Sequence, residues 1–273
     1  MVIKVILTPR ELLYIAALQE APEFVGIADA FYGMNEQEMR LEITALQMSL
    51  EDKGYAQMDF NGSFTLRNEV QDTVSVCATC DTFILVDKNK KKSPQMREFY
   101  YAKNGQVIRM DEKDGFIILT PISDTEKLLN LVMHDIEWQS EDYLLQNVQL
   151  SNNALTYASE QIAGSDLLKG YNILMGNGCD ELSARTILEG LSGIANYYAV
   201  AITIFKEDNE GTNSVMLIDS PNGIYKLNPI ILEDDTAAIQ FDSLTIAQSE
   251  KAIADIIHIA TLNQTVENEI RET

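Results

Sequence analysis

The sequence predicts an α+β fold, in which a central antiparallel β-sheet made by two pseudo-twofold halves has helices packed around it. Two observations carry this prediction. Hairpin turn signals separate short runs of strand-forming residues, at Asn104-Gly105 in the first half and at Pro221-Asn222-Gly223 in the second. The order helix, strand, hairpin, strand, helix also occurs twice along the chain. Strands joined in sequence by hairpins favour an antiparallel sheet over a parallel one.

The two occurrences of this order also align at their ends. Residues 123–134 and 247–258 match at an offset of 124, which superimposes two Glu-Lys dipeptides and two histidines. We therefore expect a single α+β domain built from two pseudo-repeat halves, residues 1–137 and 138–273, whose strands merge into one sheet.

The first half opens with a strand and three helices. Residues 2–7 form the predicted strand, and Thr8 with Glu11 makes a capping box that begins the first helix. The second helix begins at Asn35 and stops at Gly54, where a left-handed residue is favoured. The third is indicated by an apolar stripe at helical spacing, which consists of Leu66, Val70, Val74 and Cys77.

A meander of strands and a closing helix complete each half. In the first half the strands are 83–86, 97–102, 106–111 and 116–120, with a basic loop over 88–94 and a helix from 123. In the second half, helical regions over 152–175 and 180–195 precede strands at 197–205, 214–219, 224–227 and 237–241. The last helix begins near Thr245, and its apolar stripe includes Ile246, Ile253, Ile256 and Ile257.

Acidity dominates the composition. The chain has 42 acidic and 20 basic residues, a net charge of −22, of which −8 lies in residues 1–137 and −14 in 138–273. Such a surface repels phosphate backbones and anionic membranes, so we do not expect nucleic acid as a partner. The apolar runs are far shorter than the roughly 20 residues that a membrane-spanning helix needs. Three cysteines and no export signal at the amino terminus favour a cytoplasmic protein.

Cys77 and Cys80 have the Cys-x-x-Cys spacing of redox and metal sites. In redox sites the thiolate is stabilised by the positive end of a helix, whereas Cys77 comes at the carboxyl end of the predicted third helix, with Asp81 beside the pair. A zinc site would need two further ligands, and Cys179 and the two histidines lie in unmatched contexts. Packing at a helix-to-strand junction is the favoured interpretation.

The other segments with chemical side chains fit turns better than a catalytic site. Gly176-Asn177-Gly178 follows a helix and lacks the lysine of a phosphate loop, and the acidic runs 111–115 and 234–236 lack the spacing of a calcium loop. The basic residues Lys88, Lys90, Lys91 and Lys92 leave two alternatives open, a charged hairpin tip that protects solubility or a contact for an acidic partner. With no cofactor fingerprint, nucleophile or acid/base pair, a binding protein without cofactors is favoured over an enzyme.

Four segments, taken in order, resemble the EspG-type chaperones of type VII (ESX) secretion, and the shorter chaperones of the Gram-positive system. LTPRELLYI at 7–15 is similar to the first helix of that family, and LQMSLEDKGY at 46–55 is similar to the end of its next helix. REFYYAKNGQV at 97–107 resembles the family's central hairpin, and LIDSPNGIYKL at 217–227 resembles its late strand pair.

This resemblance implies a cytosolic chaperone or adaptor that binds a helical secretion substrate of the WXG, LXG or PPE-like type, keeps it soluble and delivers it to the export machinery. By position, it places partner contacts on the loop after the first meander strand, with Lys88, Lys90, Lys91, Lys92 and Pro94, and on the last helix, with Ile246, Ile253 and Ile257. Two alternatives stay open, an acidic enzyme with an unrecognised site and an acidic immunity or inhibitor protein.

Overall fold

The computed structural model describes residues 4–21, 24–91, 95–205 and 211–271. These residues form eight helices: α1 Pro9–Leu18, α2 Glu36–Asp52, α3 Asn68–Ala78, α4 Thr125–Met133, α5 Asn152–Ala163, α6 Leu167–Gly176, α7 Glu181–Leu191 and α8 Ile246–Arg271. The same ranges hold twelve strands: β1 Val5–Leu7, β2 Ala56–Met58, β3 Phe64–Leu66, β4 Thr82–Asn89, β5 Met96–Lys103, β6 Gln106–Lys113, β7 Phe116–Ile122, β8 Val148–Ser151, β9 Asn196–Ile204, β10 Gly211–Ser220, β11 Gly223–Ile231 and β12 Ala237–Leu244.

In the described residues, ten of these strands make one antiparallel sheet, in the order β1-β7-β6-β5-β4-β9-β10-β11-β12-β8. The order is the same from either edge towards the central pair, because β4 to β7 with β1 outermost correspond to β9 to β12 with β8 outermost. The central strands β4 and β9 pair along their length, with Val86 opposite Val200. The mixed α+β architecture with a central antiparallel sheet confirms the predicted fold class.

Helices cover both faces of the sheet. On one face, α1 to α3 pack over the first half and α5 to α7 over the second, and they bury two separate cores. On the other face, α4 and α8 share a single core with the central strands. Side chains alternate between the faces, so that Tyr101 belongs to the α1–α3 core and its neighbour Tyr100 to the α4–α8 core.

Local signals account for the helix starts. Thr8 Oγ1 accepts a hydrogen bond from the Glu11 backbone N–H (3.2 Å), while Glu11 Oε2 accepts one from the Thr8 N–H (2.6 Å), as the capping box predicts. Asn35 and Glu38 make the same exchange at α2. Cys77 lies in the last turn of α3, as expected.

The structure differs from the sequence predictions in several elements. Leu66 is in β3, and α3 begins at Asn68, because a short β2–β3 hairpin that the stripe did not reveal precedes the helix. The helical region over 152–175 is two helices, since Asp166 begins a new one by accepting from the Lys169 N–H (3.0 Å). Strand β8 was also missed, being four residues long.

A further correction concerns the predicted offset of 124 residues between the halves. Asp124 caps α4 and Thr245 caps α8, so the structural offset of these helices is three residues smaller. Helical stripes recur every three to four residues, so a shift of three preserves most of the apolar pattern and sequence matching cannot exclude it. The predicted boundary between the halves, at residue 137, lies in the segment between α4 and β8.

Within the described ranges, no helix combines the length and hydropathy that crossing a membrane requires.

Candidate partner-binding site

Two segments predicted to contact a partner meet at one end of the molecule. The end of the β4–β5 hairpin and the start of α8 are joined there by the segment that follows α4. Lys90 Nζ lies 3.0 Å from Glu137 Oε1, and the Trp138 indole N–H donates to Oε1 of Glu250, the fifth residue of α8 (3.3 Å). We call this region the hairpin–helix corner, defined by Lys90, Glu137, Trp138, Ile246 and Glu250.

The segment that forms the corner is fixed to the centre of the sheet. The Glu137 carbonyl oxygen accepts hydrogen bonds from Tyr198 OH (3.0 Å) and Asn196 Nδ2 (3.1 Å), both on β9. Asp219 on β10 accepts from the backbone N–H groups of Gln139 (2.8 Å) and Ser140 (3.1 Å). The backbone of residues 137–140 is therefore held by buried polar groups, which gives the corner a defined shape.

Asp219 is a fully buried carboxyl group, and this burial raises its pKa to about 6 although the two backbone N–H groups and Asn196 oppose the shift. Its oxygens face the main chain of the corner segment. This arrangement positions a backbone, and it explains the perturbed carboxyl group without a catalytic role.

The surface beside the corner is apolar and surrounded by charges. Leu144 is 66% exposed, and Tyr143 next to it is also exposed. Asp142 Oδ1 accepts from the Ile246 N–H (2.6 Å), which ties this stretch to the first residue of α8. Exposed apolar side chains with charged neighbours are the usual composition of a protein contact site. Tyr143 and Leu144 were not among the predicted contact residues, although they directly follow the polar stretch 139–142.

Lys88 is not in a loop, which corrects the sequence prediction. It is the seventh residue of β4, and its side chain has no exposed surface. Its Nζ lies 3.1 Å from Glu98 Oε2 and 3.9 Å from Asp135 Oδ2, while Arg109 contacts the other oxygen of Glu98 (3.1 Å). The strand continues three residues further than the apolar run, to Asn89, because this lysine is neutralised inside the protein.

The remaining predicted contact residues have different environments. Lys90 belongs to the corner, and the Lys91 backbone N–H donates to Asn196 Oδ1 (3.0 Å). Lys92 and Pro94 lie outside the described residues. Ile246 is partly buried at the start of α8.

Ile253 and Ile257 do not line an open groove. Both are fully buried between α8, α4 and the central strands, because the stripe that predicted an exposed apolar face is the one that attaches α8 to the sheet. A partner would reach them only if α8 moved, so their contact with a partner stays a prediction.

The Cys-x-x-Cys pair behaves as packing. Burial raises the pKa of Cys77 well above its ordinary value and raises that of Cys80 to about 11, so neither is a reactive thiolate at neutral pH. Within the described ranges, no group of three or more His, Cys, Asp or Glu side chains is arranged to hold a metal ion.

Comparison with known proteins gives a match in structure but not in sequence. The chain matches no protein-family model and no curated protein. Its fold is similar to that of a chain in the solved structure of the Mycobacterium tuberculosis type VII secretion system chaperone EspG5 in complex with the PE25–PPE41 dimer. The TM-score is 0.61 at 12% identity, and the similarity covers 96% of both chains. The class of fold is thus EspG-like, with the sheet and its helices matched over nearly the whole length.

Proposed function

We propose that this protein is a cytosolic chaperone or adaptor of a type VII secretion system. It binds a helical substrate of the WXG, LXG or PPE-like type, keeps it soluble and delivers it to the export machinery. The observation that carries this proposal is the EspG-like fold, which extends over 96% of both chains. The neighbour's structure contains a PE25–PPE41 dimer, which makes a helical protein partner the first choice here.

The hairpin–helix corner is the surface that we propose for the substrate. The corner supplies the ammonium group of Lys90 and the carboxylates of Glu137 and Glu250, and the exposed side chains of Leu144 and Tyr143 beside it supply the apolar part of the contact. A helix with an apolar stripe could bury these two side chains while its polar flanks meet the charged rim. Surface ion pairs add little affinity, so the contact would be reversible, as delivery of a substrate requires.

The test is co-expression with a helical secretion substrate of the same organism, followed by size-exclusion chromatography with light scattering. We expect a soluble complex with the native chain. Leu144→Asp should weaken the complex, because a carboxylate replaces the apolar centre of the contact. Lys90→Glu should weaken it even more, because Glu137 repels the new carboxylate in place of its ion pair with Lys90. The matched control is Leu168→Asp, since Leu168 on α6 is 70% exposed and lies outside the corner.

The proposal fails if no such substrate is solubilised or forms a complex. If a complex forms but Leu144→Asp and Leu168→Asp affect it equally, the function stands and the corner is not the contact surface.

A further inference from the structure

The two edges of the ten-stranded sheet are built alike but carry different side chains. At one edge β1 pairs with β7, which places Ile6 opposite Ile118. At the other edge β8 pairs with β12, which places Gln149 opposite Gln240. In each edge strand the flanking residues are buried under helices, Val5 and Leu7 in one half, Val148 and Leu150 in the other. Ile6 and Gln149, each between two buried residues, therefore point to the opposite face of the sheet, and the two cross-strand pairs occupy equivalent positions.

In the second half, the equivalent position carries polar side chains, as expected for a solvent-facing surface. Gln240 Nε2 donates to Asp242 Oδ1 (3.1 Å), and Asn228 Nδ2 donates to Asp242 Oδ2 (2.6 Å). Together with Gln149, these side chains cover the outer strands with amide and carboxylate groups. That end of the sheet needs no partner, because its polar groups are satisfied by each other and by solvent.

The first half presents apolar side chains at the equivalent place. Ile6 is 43% exposed, Phe116 is 42% exposed, and Ile118 is partly buried between them. We call these three residues the isoleucine face. Helices α4 and α8 bury the same side of the sheet further in, around Ile122 and Val107. The isoleucine face continues that apolar surface beyond the two helices and stays open to solvent.

The adjacent backbone edge is already occupied, which determines how a partner could bind. The Ile6 N–H donates to Tyr55 OH (3.0 Å), and the Lys53 ammonium lies 3.4 Å from the Ile6 carbonyl oxygen. An added strand would have to displace both groups, so strand addition is disfavoured. The side chains of the face remain available, and a helix lying beside α4 would complete the helical layer.

The charges around the isoleucine face select the partner. Lys113 is the cross-strand neighbour of Phe116, and Lys4 is two residues before Ile6. The Lys53 ammonium also lies 5.7 Å from the centre of the Phe116 ring, but it is already paired with Glu11 (2.6 Å), so Lys4 and Lys113 supply the basic border. Asp111 on the same side is paired with Arg109 (2.8 Å). A basic border in a chain of net charge −22 favours an acidic partner and disfavours a second copy of this chain through overall repulsion.

We propose that the isoleucine face is a second binding site, for an amphipathic helix of a protein partner with acidic residues flanking its apolar stripe. The site is separate from the hairpin–helix corner and does not depend on the function proposed for it. The β2–β3 hairpin, which has no counterpart between α6 and α7, follows Lys53 and Tyr55 at this same end. The β2–β3 hairpin and the exposed apolar side chains thus occur together at this end of the first half, and the equivalent place in the second half has neither.

The test transfers the polar pair of one half to the other. The variant Ile6→Gln/Ile118→Gln reproduces the Gln149–Gln240 pair, and Leu41→Gln/Leu168→Gln is the control, since both leucines are exposed elsewhere. The probe is a designed, fluorescein-labelled helix of about 18 residues with a leucine stripe and glutamate flanks, compared with its lysine-flanked version by anisotropy.

We expect saturable binding of the glutamate-flanked helix, about tenfold weaker in Ile6→Gln/Ile118→Gln and unchanged in the control. Lys113→Glu should weaken it as well without altering the sheet. Leu144→Asp should leave this binding intact, and Ile6→Gln/Ile118→Gln should leave the substrate complex at the corner intact, which separates the two proposals.

Three results would overturn the inference. One is the lack of saturable binding up to millimolar peptide, and another is stronger binding of the lysine-flanked helix, which would reflect net charge alone. The third is concentration-dependent dimerisation by sedimentation that Ile6→Gln/Ile118→Gln abolishes, because the occupant would then be a second copy.

Discussion

The ammonium group of Lys88 lies 3.1 Å from the carboxylate of Glu98 inside the protein, and Arg109 holds the other oxygen of that carboxylate at 3.1 Å. Glu98 thus bridges cations from the strands on either side of its own, β4 and β6. The two ends of this bridge differ, because Lys88 is fully enclosed while Arg109 is partly exposed.

Glu98→Gln should lower the free energy of unfolding by about 3 kcal/mol, because it leaves a buried lysine without its counter-charge. Lys88→Met should cost less, since Glu98 keeps Arg109 and the methionine fills the same space. Urea denaturation measures both, with Glu160→Gln on the exposed side of α5 as the control. Equal effects of Glu98→Gln and Glu160→Gln would contradict the bridge.

Asp219 should make the protein more stable as the pH falls from 7 to 5. Burial raises its pKa to about 6, whereas an unfolded aspartate titrates near about 4, so between these values the folded state binds a proton that the unfolded state does not. Relative to Asp219→Asn, the native chain should gain about 1 kcal/mol over this range. A carboxyl carbon NMR titration with a midpoint at or below about 4 would refute the assignment.

Glu11 should have the opposite pH dependence. Burial raises its pKa, but hydrogen bonds from Lys53 (2.6 Å), the Thr8 N–H (2.6 Å) and Ser49 (2.7 Å) outweigh burial, and the pKa is lowered. Its stabilisation is present above the unfolded pKa and is lost as the pH falls through the lower, folded value. Glu11→Gln should therefore cost about 2 kcal/mol at pH 7, and this difference should shrink below about pH 4.

The measurement is urea unfolding of both chains across this pH range. Lys53→Gln serves as the comparison, since Glu11 keeps its bonds to Thr8 and Ser49 in that variant and should retain most of its effect. A constant difference between the native chain and Glu11→Gln at all pH values would show that the charge of Glu11 is irrelevant.

Gly190 is required where α7 packs on β10. A β-carbon there would lie 2.6 Å from Ile218 Cδ1 and 3.0 Å from its Cγ2, both too close. Gly190→Ala should destabilise by about 1 to 3 kcal/mol even though alanine favours a helix. Adding Ile218→Val removes the nearest atom and should recover part of the loss, while Gly176→Ala, with nothing within 4 Å, should be neutral or stabilising. Thermal unfolding of the native chain, Gly190→Ala, Gly190→Ala/Ile218→Val and Gly176→Ala measures these differences in stability.

The sequence was sufficient for the parts of the fold that depend on local signals. The capping box at Thr8 and Glu11, the hairpin at Asn104-Gly105 and the last turn of α3 at Cys77 are all found where the residues indicate. Each is decided by neighbours within four residues, for which the spacing of side chains carries the information.

The candidate site depended on long-range partners and was predicted less well. Lys88 has the sequence context of a loop, and only Glu98 on the next strand and Asp135 after α4 make it an interior residue. Likewise, Ile253 and Ile257 form a stripe that is equally suited to an open groove or to the core. Spacing shows that a helix has an apolar face, but not which surface covers that face.

Among the strands that the structure describes, only the pairing of β4 with β9 joins the two halves into one sheet, and this has a consequence during synthesis. The edge of β4 can be fully made and partly folded while β9, more than a hundred residues later, is still on the ribosome. Until then the nascent chain exposes a long, apolar, unpaired strand to every other protein nearby. A protein proposed to protect others from aggregation is therefore itself vulnerable while more than a hundred of its own residues are translated.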